Sequence, residues 1–182
     1  MTAEPATARR GPLADHPLEL TVPGLSLGEL PFLTMVNVRV RPGELDVPAG
    51  SARTVGEWAV LWLGPDERLV VGPAAGSTDL VGGLPTVDVS ASRTTLTVAG
   101  VAARELLATG CPLDLHPRVF GPGSVAQSTV GRAQVILWQT TDLPVYRLLV
   151  RASFAGYLAD WLTDAAVEHT GRSLGAGVTA EG

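Results

Sequence analysis

Apolar and polar residues alternate in short bursts along most of the chain, and the bursts are cut by Gly, Pro, Asp and Thr rather than by long polar stretches. In "EWAVLWLGPDERLVVG", residues 57–72, either Trp58, Val60 and Trp62 or their neighbours Ala59, Leu61 and Leu63 face a core. "GPDE" turns the chain and "RLVV" returns it, which predicts a hairpin. "AAGSTDLVGGL" follows as a short helix, with Ser77 or Thr78 as N-cap and Gly82-Gly83 as its end. The same logic recurs in "TVDVSASRTTLTVAG", which alternates on both sides of "SASR" and runs into "GVAARELLATG", a helix closed by Gly110. There Val101, Leu106 and Leu107, with Ala102 or Ala103, share one stripe.

The third unit is the longest. "GRAQVILWQ" and "VYRLLVR" flank the turn "TTDLP", and "SFAGYLADWLTDAAVEH" is a helix with Ser153 as N-cap. Phe154, Tyr157, Leu158, Trp161, Leu162 and Ala165 recur three and four residues apart and form a broad apolar face. "FLTMVNVRV", residues 32–40, reads as a further strand on a sheet edge that Arg39 and Arg41 blunt. Repeated hairpin-helix units predict an α+β fold, an antiparallel sheet with helices packed on one side. Residues 1–28, rich in Pro, Ala, Gly and Thr, read as an extended or disordered arm. Residues 29–170 form a single α+β domain and 171–182 a disordered tail.

Composition narrows the function classes. At 182 residues there is room for one core and none for a separate cofactor domain. No apolar run approaches the ~20 residues of a membrane-spanning helix. All thirteen cations are arginines, scattered through a chain of net charge -5, which argues against a nucleic-acid-binding face. Without lysine there is no Schiff-base chemistry and no P-loop lysine. "GPLADHPLEL" after Arg9-Arg10 lacks the apolar core of an export signal, so the expected compartment is the cytoplasm.

The chemistry-bearing residues gather in "GCPLDLHPRVF", residues 110–120, which holds the only cysteine. Gly110 sits where a helix ends, as an αL cap, and Pro112 and Pro117 bias the chain to run extended. Extended backbone puts Cys111, Leu113 and Leu115 on one side and Asp114 and His116 on the other. A Cys-His nucleophile pair is disfavoured by that separation. A metal site on Asp114 and His116 needs further ligands from His16, His169 or remote carboxylates. In the remaining reading Cys111 is a small buried hydrophobe and Asp114, His116 and Arg118 are a polar face, solvated or turned to a partner. "VVGPAAGS" lacks phosphate-loop spacing and reads as a turn, and "FGPGS", which could approach a ligand closely, reads as loop punctuation.

Five stretches in register carry a resemblance: "LGPDERLVV", "VDVSASRTTLTVAG", "GCPLDLHPRVF", "GRAQVILWQ" and "YRLLVRASFAGYLADWLTDAA". Over residues 55–167 the chain resembles the gamma subunit of heterotetrameric sarcosine oxidase. That resemblance implies a complex that demethylates sarcosine oxidatively to glycine, with hydrogen peroxide and formaldehyde or 5,10-methylenetetrahydrofolate as products. It implies alpha, beta and delta subunits as partners. FAD, FMN, NAD and zinc would lie on those subunits, with no cofactor, metal or catalytic residue on this chain. It also implies a likeness to the aminomethyltransferase folate-binding domain, although fold does not carry function. Cys111, Asp114, His116, Arg118, Phe120 and Trp161 are the expected partner-interface residues, in a docking role against the large subunit. The alternative is an autonomous folate-binding one-carbon transfer protein, which needs an acid for the pterin from Asp88, Glu105 or Asp114.

Overall fold

The structure is a computed structural model that describes residues 10–74, 76 and 81–175, with side chains through Val167. Strands β1 (Glu19–Val22), β2 (Leu25–Leu30), β3 (Thr34–Arg39), β4 (Ala52–Val55), β5 (Trp58–Gly64), β6 (Glu67–Gly72) and β7 (Thr86–Asp88) precede β8 (Arg93–Ala99) and α1 (Ala103–Ala108). Strands β9 (Val125–Val130), β10 (Ala133–Thr141) and β11 (Val145–Arg151) follow, and a 3-10 turn, Ala152–Phe154, leads into α2 (Ala155–Gly175). One antiparallel sheet has six strands in the order β1-β2-β8-β11-β10-β9, the other five in the order β4-β5-β6-β3-β7.

Period-two patterning explains how the layers stack. On β11, Tyr146, Leu148 and Val150 point to one face and meet Ala103, Leu106 and Leu107 of α1 and Leu158 and Leu162 of α2. Leu149, between them, points the other way and joins Ile136 and Trp138 in packing on Met35, Leu61, Leu69 and Val71 of the five-stranded sheet. Both faces of β5 are used. Ala59 and Leu61 enter this inter-sheet core, while Val60 belongs to an outer cluster with Val36, Val38 and Val70, against which Trp58 and Trp62 pack. That outer cluster is closed by Val40, Val47 and Val81. The guanidinium of buried Arg68 ties the closing segment down by donating to the carbonyls of Leu45 and Gly64.

The α+β architecture is as expected, and the hairpins β5-β6 and β10-β11 form as read. Several finer expectations are corrected. From Glu19 the arm expected over residues 1–28 pairs into the six-stranded sheet, and Leu13, Leu18, Leu25 and Leu27 are in its core, because their alternation supplies an apolar face. β7 and β8 do not form a hairpin: β7 pairs with β3 and β8 with β2 and β11, so "VSAS" crosses between sheets. β3 is not an edge strand, since β7 lies beyond it, and its apolar residues on both faces fit an interior position.

Val101 is 73% exposed and leaves the α1 stripe to Ala103, Leu106 and Leu107. On α2 the buried stripe is Ala155, Leu158, Ala159, Leu162 and Ala166, while Phe154 and Tyr157 face out. Ser153 lies inside the 3-10 turn, and no side chain caps that turn. The cap residues Ser77 and Thr78 lie outside the described residues. Helix α2 continues through Gly175, past the expected start of the tail at 171.

Candidate functional site

The 110–120 segment alternates its side chains through His116 as expected, but it does not run extended to its end: the Val119 and Phe120 N–H groups both donate to the His116 carbonyl and turn the chain. Cys111, Leu115 and Phe120 are buried in the helix-side core; Asp114, His116 and Arg118 are exposed. Cys111 Sγ lies 3.8 Å from Ser128 Oγ, and Phe120 stacks on Tyr146 with centroids 6.4 Å apart. The exposed residues order one another locally. The Asp114 carboxylate accepts the His116 backbone N–H at 2.9 Å, and His116 Nδ1 accepts the Arg118 backbone N–H at 3.2 Å. The thiol and the imidazole are therefore held on opposite sides of the strand-like run, and no nucleophile-base pair forms.

Gly110 is not the αL cap its position after α1 suggested, for its φ is not positive. Its need for glycine comes from close approach: a Cβ there would lie 2.3 Å from the Trp161 ring. Trp161 thus closes the rim of the core over Gly110, packed against the same cluster as its neighbours on α2. Of the six residues expected at an interface, Cys111 and Phe120 are spent inside this chain and Trp161 is half-buried, which leaves Asp114, His116 and Arg118 on the surface.

Among the described residues, no group of three or more His, Cys, Asp and Glu side chains converges as a metal site would require. His16 sits beside Asp160, with Nε2 and Oδ1 3.0 Å apart, and the His169 side chain lies outside the described residues. The acids considered for a pterin, Asp88, Glu105 and Asp114, are exposed on separate elements.

Concave surface occurs instead along the seam between the two sheets. Towards the start of β11 a cleft of about 420 Å³ is lined by Leu33, Glu57, Trp58, Trp138, Thr140 and Arg147. There the Arg147 guanidinium lies over the Trp138 ring, 4.9 Å from its centroid, and burial pushes its pKa below the usual arginine value. Towards the end of β11 a second cleft, of about 480 Å³, is lined by Asn37, Glu67, Ser92, Arg93, Gln127 and Arg151. Arg93 and Arg151 are directly opposite in the β8-β11 register. The pKa of Arg93 is lowered, first by burial and then by the charge of Arg151, with Glu67 opposing. No spacing in the sequence announces this pair, because it exists only once β8 and β11 have found their register.

Known proteins agree with this architecture. Residues 38–168 match the SoxG sarcosine oxidase gamma subunit family. The sarcosine oxidase subunit gamma of Corynebacterium sp. (strain P-1) is 36% identical over 194 residues, covering 91% of this chain and 93% of that one. The subunit gamma of an Arthrobacter sp. is 36% identical over 191 residues, with the same coverage of 91% and 93%. A chain in the solved structure of heterotetrameric sarcosine oxidase from Corynebacterium sp. U-96 in complex with pyrrole 2-carboxylate superposes with a TM-score of 0.78. It is 31% identical and is covered to 96%, against 89% of this chain.

Proposed function

The chain belongs to the sarcosine oxidase gamma subunit family, and from that membership we propose that it works as the gamma subunit of a heterotetrameric sarcosine oxidase, supplying structure and docking surface but no reacting group. The observation that carries this reading is chain-for-chain correspondence. Alignment with one whole subunit of a solved heterotetramer covers 96% of that subunit and 89% of this chain, so the likeness is to a complete building block of a larger assembly.

On this reading the complex converts sarcosine, water and oxygen to glycine, formaldehyde and hydrogen peroxide, or passes the one-carbon unit to tetrahydrofolate. FAD, FMN, NAD and zinc reside on the alpha, beta and delta subunits. Docking against the large subunit falls to exposed residues of the 110–120 segment. Asp114, His116 and Arg118 stand out there beside Val119, which is 64% exposed, an apolar contact with a polar rim. The early turns of α2 add Phe154 and Tyr157, both exposed.

Co-expression with the other three subunits tests this. The expected result is co-elution of this chain in stoichiometric amounts with a sarcosine-oxidising complex, while the chain alone shows no turnover. Turnover by the isolated chain, or a chain that stays monomeric beside a fully assembled complex of the others, overturns it.

A further inference from the structure

The cleft at the end of β11 is unusual in its charge. Arginines directly opposite on adjacent antiparallel strands repel, an arrangement that weakens a sheet unless something negative sits between or above them. Among the described residues neither Arg93 nor Arg151 has a hydrogen-bond acceptor or a carboxylate in ion-pair range. Two other arginines do have carboxylate partners, Arg39 on Asp66 and Arg10 on Asp15. Glu67, the acid whose charge acts on Arg93, is already engaged: it accepts a hydrogen bond from the Asn37 amide and lies 3.8 Å from Arg39.

Arg93 is half-buried and Arg151 exposed, and the clefts they share are rich in donors. Arg93, Gln127, Ile136 and Arg151 line both the 480 Å³ cleft and an adjoining one of about 340 Å³, to which Ser128, Thr129 and Gln134 add polar groups. Arg93 also reaches a third recess with Ser90 and Thr94. Half-burial disfavours its charge, as does Arg151, and a bound anion would relieve both effects at once. Paired guanidinium forks with hydroxyl and amide donors beside them match the geometry of carboxylate and phosphate oxygens.

We propose that Arg93 and Arg151 form a recognition site for an oxyanion, a carboxylate or phosphate group held between the two sheets. The site rests on this chain's own geometry and stands whether or not the subunit reading does. It makes the inter-sheet seam a binding element, with Arg93 the recessed anchor and Arg151 the outer clamp.

The test uses the full chain in chloride buffer. Inorganic phosphate, pyrophosphate and succinate are titrated at constant ionic strength while the arginine Nε–H resonances are followed by NMR. The expected result is saturable movement of the Arg93 and Arg151 signals. Binding weakens at least tenfold in Arg93→Gln and in Arg151→Gln and less in Arg93→Lys. Without anion, each glutamine variant melts at or above the temperature of the parent chain, because repulsion has been removed. That outcome also separates recognition from a merely structural role.

Absence of saturable movement with all three anions, or binding equally tight in both glutamine variants, overturns the proposal. Repeating the titration on the assembled complex identifies the source. Binding that persists there points to a small molecule. Binding that disappears on assembly, together with weakened assembly of Arg93→Gln, supports the same chemistry with the carboxylate supplied by a neighbouring subunit.

Discussion

On the helix side of the six-stranded sheet, Leu96, Val98, Leu148 and Val150 meet Leu106, Leu107, Leu158 and Leu162 in one continuous aliphatic core. On the opposite side, the same strands β8 and β11 present Arg93, Arg147 and Arg151 around a single fully buried leucine, Leu149, and a smaller cluster with Ile136 and Trp138. The backbone is shared, so the contrast lies entirely in the alternate side chains. A face packed mostly with aliphatic residues stabilises in proportion to the apolar area it buries. A face carrying half-buried guanidiniums gives up part of that gain to desolvation and keeps clefts open between its layers. One side therefore carries the larger core, and the other combines a smaller core with cationic side chains at the edges of its clefts.

The largest expected effect is on the helix side. Leu148→Ala should lower the unfolding free energy by about 3–5 kcal/mol, because its surroundings are closed on every side and collapse poorly around a cavity. Leu149→Ala, one residue away on the other face, should cost less, about 2–3 kcal/mol, since the smaller cluster beside open clefts can relax. Urea midpoints at unchanged slope measure both. A loss for Leu149→Ala as large as that for Leu148→Ala would erase the distinction between the faces. Next in size is Gly110→Ala, which drives a methyl group into the Trp161 ring and should destabilise by about 1–3 kcal/mol. In a Trp161→Leu background the same change should cost far less. Additive losses would mean that Trp161 does not close the core rim.

Smaller changes are expected among the arginines of the sheet side. Arg147→Gln removes the contact over Trp138 and should cost about 0.5–1 kcal/mol, accompanied by a change in tryptophan fluorescence. Arg93→Gln should have the opposite sign, leaving the free chain unchanged or more stable by about 0.2–1 kcal/mol, because it relieves the cross-strand repulsion with Arg151. Destabilisation of the anion-free chain by Arg93→Gln would show that this guanidinium serves the fold, and the two faces would then differ in packing alone.

Legibility in the sequence follows the same division. Hairpins β5-β6 and β10-β11 and helix α2 are readable because each is specified by local alternation, turn residues and spacing. The partition of residues 111–116 is readable for the same reason, since Pro112 and Pro117 bias the residues before them away from helix, whereas the turn at 116–120 that buries Phe120 is not. What escapes is non-local. "TVDVSASRTTLTVAG" alternates like a hairpin, yet its halves belong to different sheets, and strand partners are chosen by the whole core rather than by the intervening turn. Residues 18–28 looked like an arm because Pro and Gly interrupt them, although Leu18, Leu25 and Leu27 are enough to seal the sheet edge. The position of Gly110 after α1 suggests a dihedral requirement, whereas the constraint is a ring from a helix far along the chain. The Arg93-Arg151 pair is the extreme case, for neither residue carries any local signal and their meeting depends on the β8-β11 register.

The smallest expected effect at neutral pH comes from Tyr146, fully buried on the helix side opposite the equally buried Gln139. Its hydroxyl has no hydrogen bond of good geometry among the described residues, so Tyr146→Phe removes an unsatisfied group while preserving ring and packing, including the stack with Phe120. Stability at neutral pH should change by no more than about 0.5 kcal/mol. The difference emerges in alkali. Burial raises the Tyr146 pKa above its ordinary 10.0, with the nearby Arg104 guanidinium opposing, so the unfolded chain loses this proton first. Below 10.0 both states hold the proton and no penalty exists; as pH climbs past 10.0 towards the folded-state value, the unfolded state gains and stability falls. Urea midpoints of parent and Tyr146→Phe should therefore coincide at neutral pH and separate in favour of the variant just above pH 10.0. Midpoints that decline in parallel would place the alkali sensitivity elsewhere, and the helix side would then be free of ionisable penalties throughout, sharpening its contrast with the arginine-lined face.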